Sequence, residues 1–222
     1  MIVRKAGVWA VATALVLCAT VPRPLLGQVP VLLVPGWFDT ERDLVTLRTR
    51  FLSAGWPADR IAAITFEEPT GSNRDHALEL HDAIEALRAR TNSEQVDIVA
   101  HSMGGLAARW YILTHPGHGV RRTVFLGSPH AGTQAAYLAW GGGRAEMMPG
   151  SPFLDSLNAA QPVPEGVEAM TIRTPVDSRI IPGQSATLPG VPNHEVCCPT
   201  HAGLVRNSNV FNLIREFLEA QR

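Results

Sequence analysis

The chain has 222 residues, with 19 Lys and Arg against 20 Asp and Glu, so its formal net charge is −1. Hydrophobic residues make up 45% and charged residues 18%, a balance typical of a globular domain and unlike that of a disordered chain. The near-neutral charge provides no basic surface for neutralising phosphates, so the composition argues against nucleic acid as a partner.

The first 27 residues have the layout of a secretory signal peptide. Arg4 and Lys5 precede an apolar run over residues 6–19, and residues 20–27 carry proline and arginine. The run is about fourteen residues long, shorter than the roughly twenty that a membrane-spanning helix needs. We therefore expect cleavage and secretion, into the periplasm or the medium, rather than a permanent membrane anchor. Small residues at 18–20 and at 25–27 leave two positions open for the cut.

Removal of residues 1–27 changes the charge balance of what remains. The segment contains Arg4, Lys5 and Arg23 and no acidic residue, so 16 basic residues then face 20 acidic ones and the net charge becomes −4. The 195 residues from 28 to 222 are enough for one well-buried core. The sequence therefore predicts a single domain over residues 28–222.

From Val29 onward, short apolar runs alternate with longer helical patterns. This alternation is typical of βαβ units around a mainly parallel sheet. The apolar runs predict strands at residues 31–34, 61–66, 96–100, 123–126 and 170–172. Helical spacing of apolar residues predicts helices at residues 43–54, 74–90, 103–114 and 209–220. Residues 128–164 are rich in Gly, Pro and Ala and only weakly periodic, so we expect a long functional loop there.

The clearest catalytic signal lies where the third predicted strand meets the following helix. The segment there reads Val99-Ala100-His101-Ser102-Met103-Gly104-Gly105. A serine flanked by small residues at a strand-to-helix turn is typical of the strained elbow that exposes a nucleophile, with the pattern G-x-S-x-G. Ala100 stands at the first glycine of that pattern, a change that a spacious neighbouring backbone accommodates. We therefore predict that Ser102 is a nucleophile.

With this motif the chain resembles the α/β-hydrolases, and among them the small bacterial secreted lipases whose nucleophile motif is A-H-S-M-G. The resemblance runs from about Val29 to Leu218. Three further segments follow the family's order, namely Leu33-Val34-Pro35-Gly36-Trp37, Gly127-Ser128-Pro129-His130-Ala131-Gly132-Thr133 and Met148-Pro149-Gly150-Ser151. The resemblance implies an α/β-hydrolase fold, with a mainly parallel central sheet flanked by helices. The short chain leaves little room for a separate cap domain, so we expect a minimal version of the fold.

A serine hydroxyl needs a histidine to accept its proton, and the fold places the residues in the order Ser, acid, His. His201 lies between the last strands and the C-terminal helix, and its surroundings resemble the family's histidine loop. His194 is the alternative base. The family counterparts of His101 and His130 are structural, and we expect His101 to leave its strand facing away from the nucleophile.

The acid of the triad orients the histidine and fixes its tautomer. Asp177 stands just past the fifth predicted strand, the position from which the acid of this fold reaches the histidine. Asp155, in the loop before that strand, is the alternative acid. Asp97 lies inside a strand, so we interpret it as a structural, hydrogen-bonded carboxylate.

Acyl transfer also needs two backbone N–H groups that hold the developing oxyanion. One is expected from Met103, the residue after the nucleophile. The resemblance implies that the other comes from Trp37 in the turn after the first strand, with Phe38 as the next candidate. A fatty acyl chain needs an apolar concave wall, for which Trp37, Phe38, Leu154 and Ile181 are candidates; Met103 could also contribute.

Cys197 and Cys198 are adjacent in the sequence. Secretion favours oxidation, but α-carbons about 3.8 Å apart across a trans peptide are closer than a disulfide normally allows. A vicinal disulfide, two free thiols and a bond to another chain therefore remain open. Adjacent cysteines also lack the C-x₂-C spacing of common zinc sites, so we expect no metal.

The residues and the resemblance together predict a secreted serine hydrolase of carboxylic esters, a lipase or esterase that needs no cofactor. Its partner would be a lipid or another ester, met at a lipid–water interface, and no obligate protein partner is evident. An acyltransferase or polyester depolymerase with the same triad is the alternative. A catalytically inactive hydrolase-fold binding protein is the alternative from another class.

Overall fold

A computed structural model describes residues 28–159 and 161–220, so the predicted signal peptide lies outside the described residues. The described residues form a six-stranded sheet with the spatial order β2-β1-β3-β4-β5-β6, in which every neighbouring pair is parallel. The strands are Val31–Val34 (β1), Ile61–Ala63 (β2), Val96–His101 (β3), Val120–Leu126 (β4), Glu168–Arg173 (β5) and Asn193–Glu195 (β6). The helices are Val45–Ser53 (α1), Asn73–Thr91 (α2), Gly104–Thr114 (α3), Gly142–Met147 (α4), Pro152–Asn158 (α5) and Ser208–Glu219 (α6).

The central strands are buried on both faces because helices cover both sides of the sheet. Successive side chains of a strand point to opposite faces, and in β1 Val31 and Leu33 belong to a core cluster with residues of α1 and α6. Leu32 and Val34 belong to the cluster that contains residues of α2 and α3. The continuous apolar run of β1 therefore reflects burial on two sides, as in other parallel sheets.

The longest helices form where their end signals and apolar spacing agree. Ser72 is the N-cap of α2, and its side chain accepts a hydrogen bond from the Arg74 N–H. Asn92 ends the helix in the left-handed conformation, with φ of 48°, which asparagine tolerates better than most residues. The ends of α2 thus lie within one residue of the predicted range.

The structure differs from the predicted elements in several places. The second strand ends at Ala63 instead of continuing to residue 66. The predicted loop at 128–164 contains α4, α5 and a 3₁₀ turn at Gln134–Leu138. A sixth strand was missed because β6 has only three residues, two of them exposed, so it carries no apolar run that marks a strand.

The strand order determines where a site can form. The chain moves from β1 to β2 on one side and then crosses to β3 on the other side of β1. Such a switch in direction opens a crevice at the carboxyl ends of the two strands. Trp37 follows β1 and Ser102 follows β3, so the topology brings these two residues to the same crevice. Among the described helices, none is both long and apolar enough to cross a membrane.

Candidate active site

Ser102 occupies a strained turn between β3 and α3. Its φ is 52°, in the left-handed region that non-glycine residues rarely adopt, and its N–H donates to the Leu126 carbonyl at 2.8 Å. Gly104 lets α3 begin close to the turn after β1, because a Cβ there would overlap the Pro35 carbonyl oxygen. The local geometry is therefore that of the elbow predicted from the sequence.

His201 and Asp177 form a hydrogen-bonded pair. The ring Nδ1 of His201 lies 2.8 Å from Oδ2 of Asp177, and because an ionised carboxylate can only accept, Nδ1 carries the hydrogen. The other oxygen of Asp177 accepts from the N–H groups of Arg179 at 2.8 Å and Ile180 at 2.9 Å. These three bonds fix the carboxylate, and through it the tautomer that leaves His201 Nε2 free to accept a proton.

Both members of the pair have lowered pKa values. Burial lowers the pKa of His201 below its usual 6.5, and electrostatic interactions with His101 and Arg179 add to this, while the bond to Asp177 opposes it. Burial by itself raises the pKa of Asp177, but the hydrogen bond from His201 and those from the two backbone N–H groups outweigh it, so the net shift is downward. A neutral histidine beside an ionised acid is the state that general-base catalysis near neutral pH requires.

Ser102 and His201 line the same cavity, which has a volume of about 560 Å³. No hydrogen bond joins the Ser102 hydroxyl to the His201 ring among the residues described, and such contacts often tighten only when substrate binds. The sequence-predicted residues Ser102, His201, Trp37 and Phe38 all contribute to the cavity wall. Asp177 lies behind His201, so the structure brings together the three residues predicted for the triad.

Two unengaged backbone N–H groups flank the crevice. The N–H groups of Trp37 and Met103 make no hydrogen bond to any other residue that the structure describes, as an oxyanion hole requires before substrate arrives. The Phe38 N–H, in contrast, donates to the Pro69 carbonyl at 3.0 Å. Phe38 is therefore unavailable as the second donor, and Trp37 is left as the candidate after β1.

An aromatic cluster forms one wall of the cavity. Trp37 packs edge-on against Trp140, with ring centroids 4.4 Å apart, and Phe38 lies 5.5 Å from the same ring. The Trp37 indole N–H donates to the Trp140 carbonyl at 3.1 Å. Trp140 was missed because it lies in the weakly periodic segment at 128–164; a lone tryptophan before three glycines was the only available signal.

Two predicted pocket residues do not reach the cavity. Leu154 is buried in a separate core cluster with Met103 and Leu157, because it lies on the inner face of the short helix α5. Ile181 is 40% exposed and absent from the cavity wall, where its neighbour Ile180 lies instead.

The alternative catalytic residues lie elsewhere. His194 is in β6 and Asp155 is an exposed residue of α5, and neither lines the cavity. Asp97 is buried in β3 and accepts from Arg121 Nε at 2.9 Å. Burial raises the pKa of Asp97 in spite of the Arg121 bond. The geometry of Asp97 is that of the structural acid interpreted from the sequence.

One expectation about the histidines is wrong. His101 does not face away from the site: it lines the cavity, and its ring centroid lies 4.7 Å from that of His201. Its partner Asp39, whose carboxylate lies 3.3 Å from His101 Nδ1, was missed entirely. The available signal was its position, because Asp39 is a short acid directly after the turn that ends β1.

Cys197 and Cys198 form a vicinal disulfide, with a cis peptide bond between them. Of the three states left open by the sequence, the structure has the bridge within one chain. Across residues 28–159 and 161–220, no three His, Cys, Asp or Glu side chains are grouped so that they could hold a metal ion.

Solved structures share this fold at low sequence identity. Lipase B of Aspergillus fumigatus matches with a TM-score of 0.76 and 18% identity over 89% of this chain and 53% of its own length. Mature lipase BlEst2 of Bacillus licheniformis matches with a TM-score of 0.75 and 16% identity over 89% of this chain and 94% of its own length. A Listeria innocua protein matches with a TM-score of 0.65 and 18% identity over 88% of this chain and 96% of its own length. This chain therefore spans about half the length of the Aspergillus enzyme, and identities this low show the fold alone.

The parallel sheet, its helices and the serine elbow at the switch point define an α/β-hydrolase fold, and the described part of the chain contains no large cap domain. The family described as Lipase (class 2) matches residues 28–149, which is more than half of the chain. The chain therefore belongs to the class 2 lipase family.

Proposed function

We propose that the mature chain is a secreted lipase or esterase that works through Ser102, His201 and Asp177 and forms an acyl-enzyme. The hydrogen bond of 2.8 Å between His201 and Asp177, beside a cavity that Ser102 also lines, carries this proposal. The family membership supports an ester as substrate.

In the proposed mechanism, Ser102 Oγ attacks the ester carbonyl while His201 Nε2 takes the hydroxyl proton. The N–H groups of Trp37 and Met103 hold the resulting oxyanion, and loss of one such donor typically costs about 10² to 10³ in rate. The tetrahedral intermediate collapses to acyl-Ser102, and His201 gives its proton to the departing alkoxide. Water then attacks the acyl-enzyme with the same proton transfers, which releases the acid and restores Ser102.

Replacement of the nucleophile tests this mechanism. Ser102→Ala should reduce hydrolysis of p-nitrophenyl butyrate by at least about 10³-fold, because only the oxyanion hole and binding would remain. Ser156→Ala is the matched control, since Ser156 is an exposed serine of α5 outside the cavity. A fluorophosphonate probe should label wild type and Ser156→Ala but not Ser102→Ala. Substantial activity in Ser102→Ala would disprove the triad, and an unlabelled wild type would indicate an inactive binding protein.

The acyltransferase alternative uses the same residues, so only products distinguish it. In water with a soluble alcohol added, the proposed hydrolase releases mainly free acid, whereas an acyltransferase forms mainly the new ester. Release of acid from an insoluble polyester, but not from triacylglycerol, would instead favour the depolymerase.

The proposed contact with a lipid–water interface is supported by exposed apolar side chains at the cavity mouth. Phe38, Leu138 and Trp140 line the cavity and are 63%, 87% and 54% exposed. Burying such side chains in lipid contributes about 25 cal/mol for each Å² removed from water. Leu138→Gln should therefore weaken binding to a triacylglycerol emulsion, with Leu78→Gln, at an exposed leucine outside the cavity wall, as control. Equal binding of both variants would refute the contact.

Secretion is proposed from the layout of residues 1–27 and is consistent with the Cys197–Cys198 bond, since disulfides persist in oxidising compartments. N-terminal sequencing of the protein recovered from periplasm or medium should give a start between residues 19 and 28 of the printed sequence. Recovery of the uncut chain from the cytoplasm would contradict it.

A further inference from the structure

We propose that Asp39 and His101 form a positioning pair that holds the main chain of His201 and thereby keeps its ring aligned with Ser102. The proposal rests on the proposed function, because it concerns the same histidine. Neither residue belongs to the triad or to the oxyanion hole.

The pair contacts the main chain of His201, whereas Asp177 contacts its ring. His101 Nε2 lies 3.2 Å from the main-chain carbonyl oxygen of His201, and Nδ1 of the same ring lies 3.3 Å from Asp39 Oδ2. The His101 side chain is only 3% exposed, whereas that of Asp39 is 33% exposed at the cavity mouth. A chain of contacts therefore runs from the turn after β1, through the last residue of β3, to the His201 loop.

The acceptors in this series of contacts determine which His101 nitrogen carries a hydrogen. A carbonyl oxygen can only accept, so His101 Nε2 must carry a hydrogen to bond to His201. The other ring nitrogen, Nδ1, faces the carboxylate of Asp39. Burial by itself raises the pKa of Asp39, but the hydrogen bond to His101 and the electrostatic interactions with His101, His201 and Arg179 outweigh it, so the net shift is downward. Asp39 is therefore ionised beside the His101 ring.

The His201 loop needs this outside contact. The His201 carbonyl also accepts from the Leu204 N–H at 3.2 Å, but that bond lies within the loop's own turn. Asp177 fixes the ring at Nδ1, which still permits rotation of the loop about that point. The bond from His101 supplies a second fixed point, from a residue anchored in the central sheet, so that Nε2 is aimed at the serine.

The turn after β1 is built around the pair. A Cβ at Gly36 would lie 2.9 Å from Asp39 Oδ2, 2.8 Å from Ser102 Cβ and 3.3 Å from His101 Nδ1. The absence of a side chain at Gly36 therefore lets the acid, the imidazole and the nucleophile pack within one small volume. The Asp39 N–H donates to the Gly36 carbonyl at 3.2 Å, which holds the acid at the turn.

Four variants of the full chain test the pair, with kcat and KM for p-nitrophenyl butyrate as the first readout. His101→Leu removes the donor and should lower kcat by about 10- to 100-fold, the scale expected for a catalytic group displaced by about 1 Å, with little change in KM. His101→Gln keeps an N–H that can reach the same carbonyl and should recover most of kcat. Asp39→Asn should lower kcat less than His101→Leu, while Asp59→Asn, at an exposed acid outside the cavity, should match wild type.

The second readout does not depend on turnover. The ¹H resonance of the His201 Nδ1–H should shift or broaden in His101→Leu and Asp39→Asn and remain as in wild type in His101→Gln and Asp59→Asn. If wild type neither hydrolyses esters nor reacts with fluorophosphonate, the proposed function fails. The resonance of His201 Nδ1–H would then still show whether Asp39 and His101 position His201. The proposed pair is overturned if His101→Leu and Asp39→Asn both keep the wild-type resonance. It is also overturned if an active His101→Leu keeps kcat within about twofold of wild type, a loss much smaller than the expected one. Should His101→Leu not fold, the resonance and kcat of Asp39→Asn, at the partly exposed residue, decide the proposal by the same criteria.

Discussion

Replacing Asp177 with asparagine separates its orienting role from its structural one. Oδ1 of Asp177 accepts two backbone N–H groups, from Arg179 and Ile180, and an asparagine must keep its oxygen there to preserve both bonds. Its NH₂ group then faces His201 Nδ1, where the carboxylate now accepts at 2.8 Å. Because an amide NH₂ only donates, Nδ1 must become the acceptor and the ring hydrogen moves to Nε2. That tautomer cannot take the proton of Ser102.

We therefore expect Asp177→Asn to lower kcat by about 10⁴-fold, as the wrong tautomer does in serine hydrolases, which corresponds to about 5.4 kcal/mol of activation free energy. Stability should change far less, by about 1–3 kcal/mol, because two neutral hydrogen bonds replace two charge-assisted ones. Hydrolysis of p-nitrophenyl butyrate and a thermal melt measure the two effects. Asp155→Asn, at the exposed alternative acid, should leave kcat unchanged. A variant Asp177→Asn within about tenfold of wild type, or an equal loss in Asp155→Asn, would refute the assignment of the acid.

Three further predictions follow from the electrostatics and packing. Arg179 lowers the pKa of His201 in addition to burial, so Arg179→Gln should raise that pKa and move the acid limb of the kcat/KM profile to higher pH; an unchanged limb would contradict this. Burial lowers the pKa of His130 well below 6.5, so below about pH 6.5 the unfolded chain binds a proton that the folded chain does not. The free energy of unfolding should therefore decrease as the pH falls below about 6.5, by up to about 1.4 kcal/mol per pH unit. Urea midpoints should depend less on pH in His130→Phe. Gly105→Ala would place a Cβ 2.6 Å from Ser128 Cβ and should lower the free energy of unfolding by about 1–3 kcal/mol through overpacking. Adding Ser128→Gly should restore part of the lost melting temperature, and no restoration would speak against that contact.

Elements with a marked apolar pattern were predictable from the sequence, and elements without one were not. β1 matches the predicted range because it is buried on both faces and ends at Pro35. β6 was missed because Asn193–Glu195 is recruited by pairing with β5, a tertiary contact that leaves no local apolar pattern. The same holds for α4, which packs with α5 and α2 rather than carrying its own amphipathic signal.

For the candidate site, the sequence supplied residue types and order, whereas side-chain direction came from the fold. Ser102, Asp177 and His201 could be proposed because each follows a recognisable strand or loop in the expected order. His101 lies on the same face of β3 as Val99, because residues two apart in a strand share a face. Leu204 and Val205, which follow His201, pack in the same core cluster as Val99, and the sequence did not show that this loop returns to that face.

Access to Ser102 depends on the segment that crosses the site between β4 and α5. The carboxylate of Glu146 on α4 accepts from the Ser72 hydroxyl and the Asn73 side-chain amide, both at 2.8 Å, which ties α4 to the start of α2. The Trp37 indole bonds to the Trp140 carbonyl at 3.1 Å at the other end of the segment. If this segment opened as a lid, these bonds would break, and the Glu146 carboxylate would lose several partners at once. Each hydrogen bond to a charged group contributes about 1.5–3 kcal/mol. We therefore expect the cavity mouth to be a fixed opening at which the exposed side chains of Leu138 and Trp140 would meet lipid without a preceding rearrangement. Hydrolysis of tributyrin should then rise smoothly through its solubility limit.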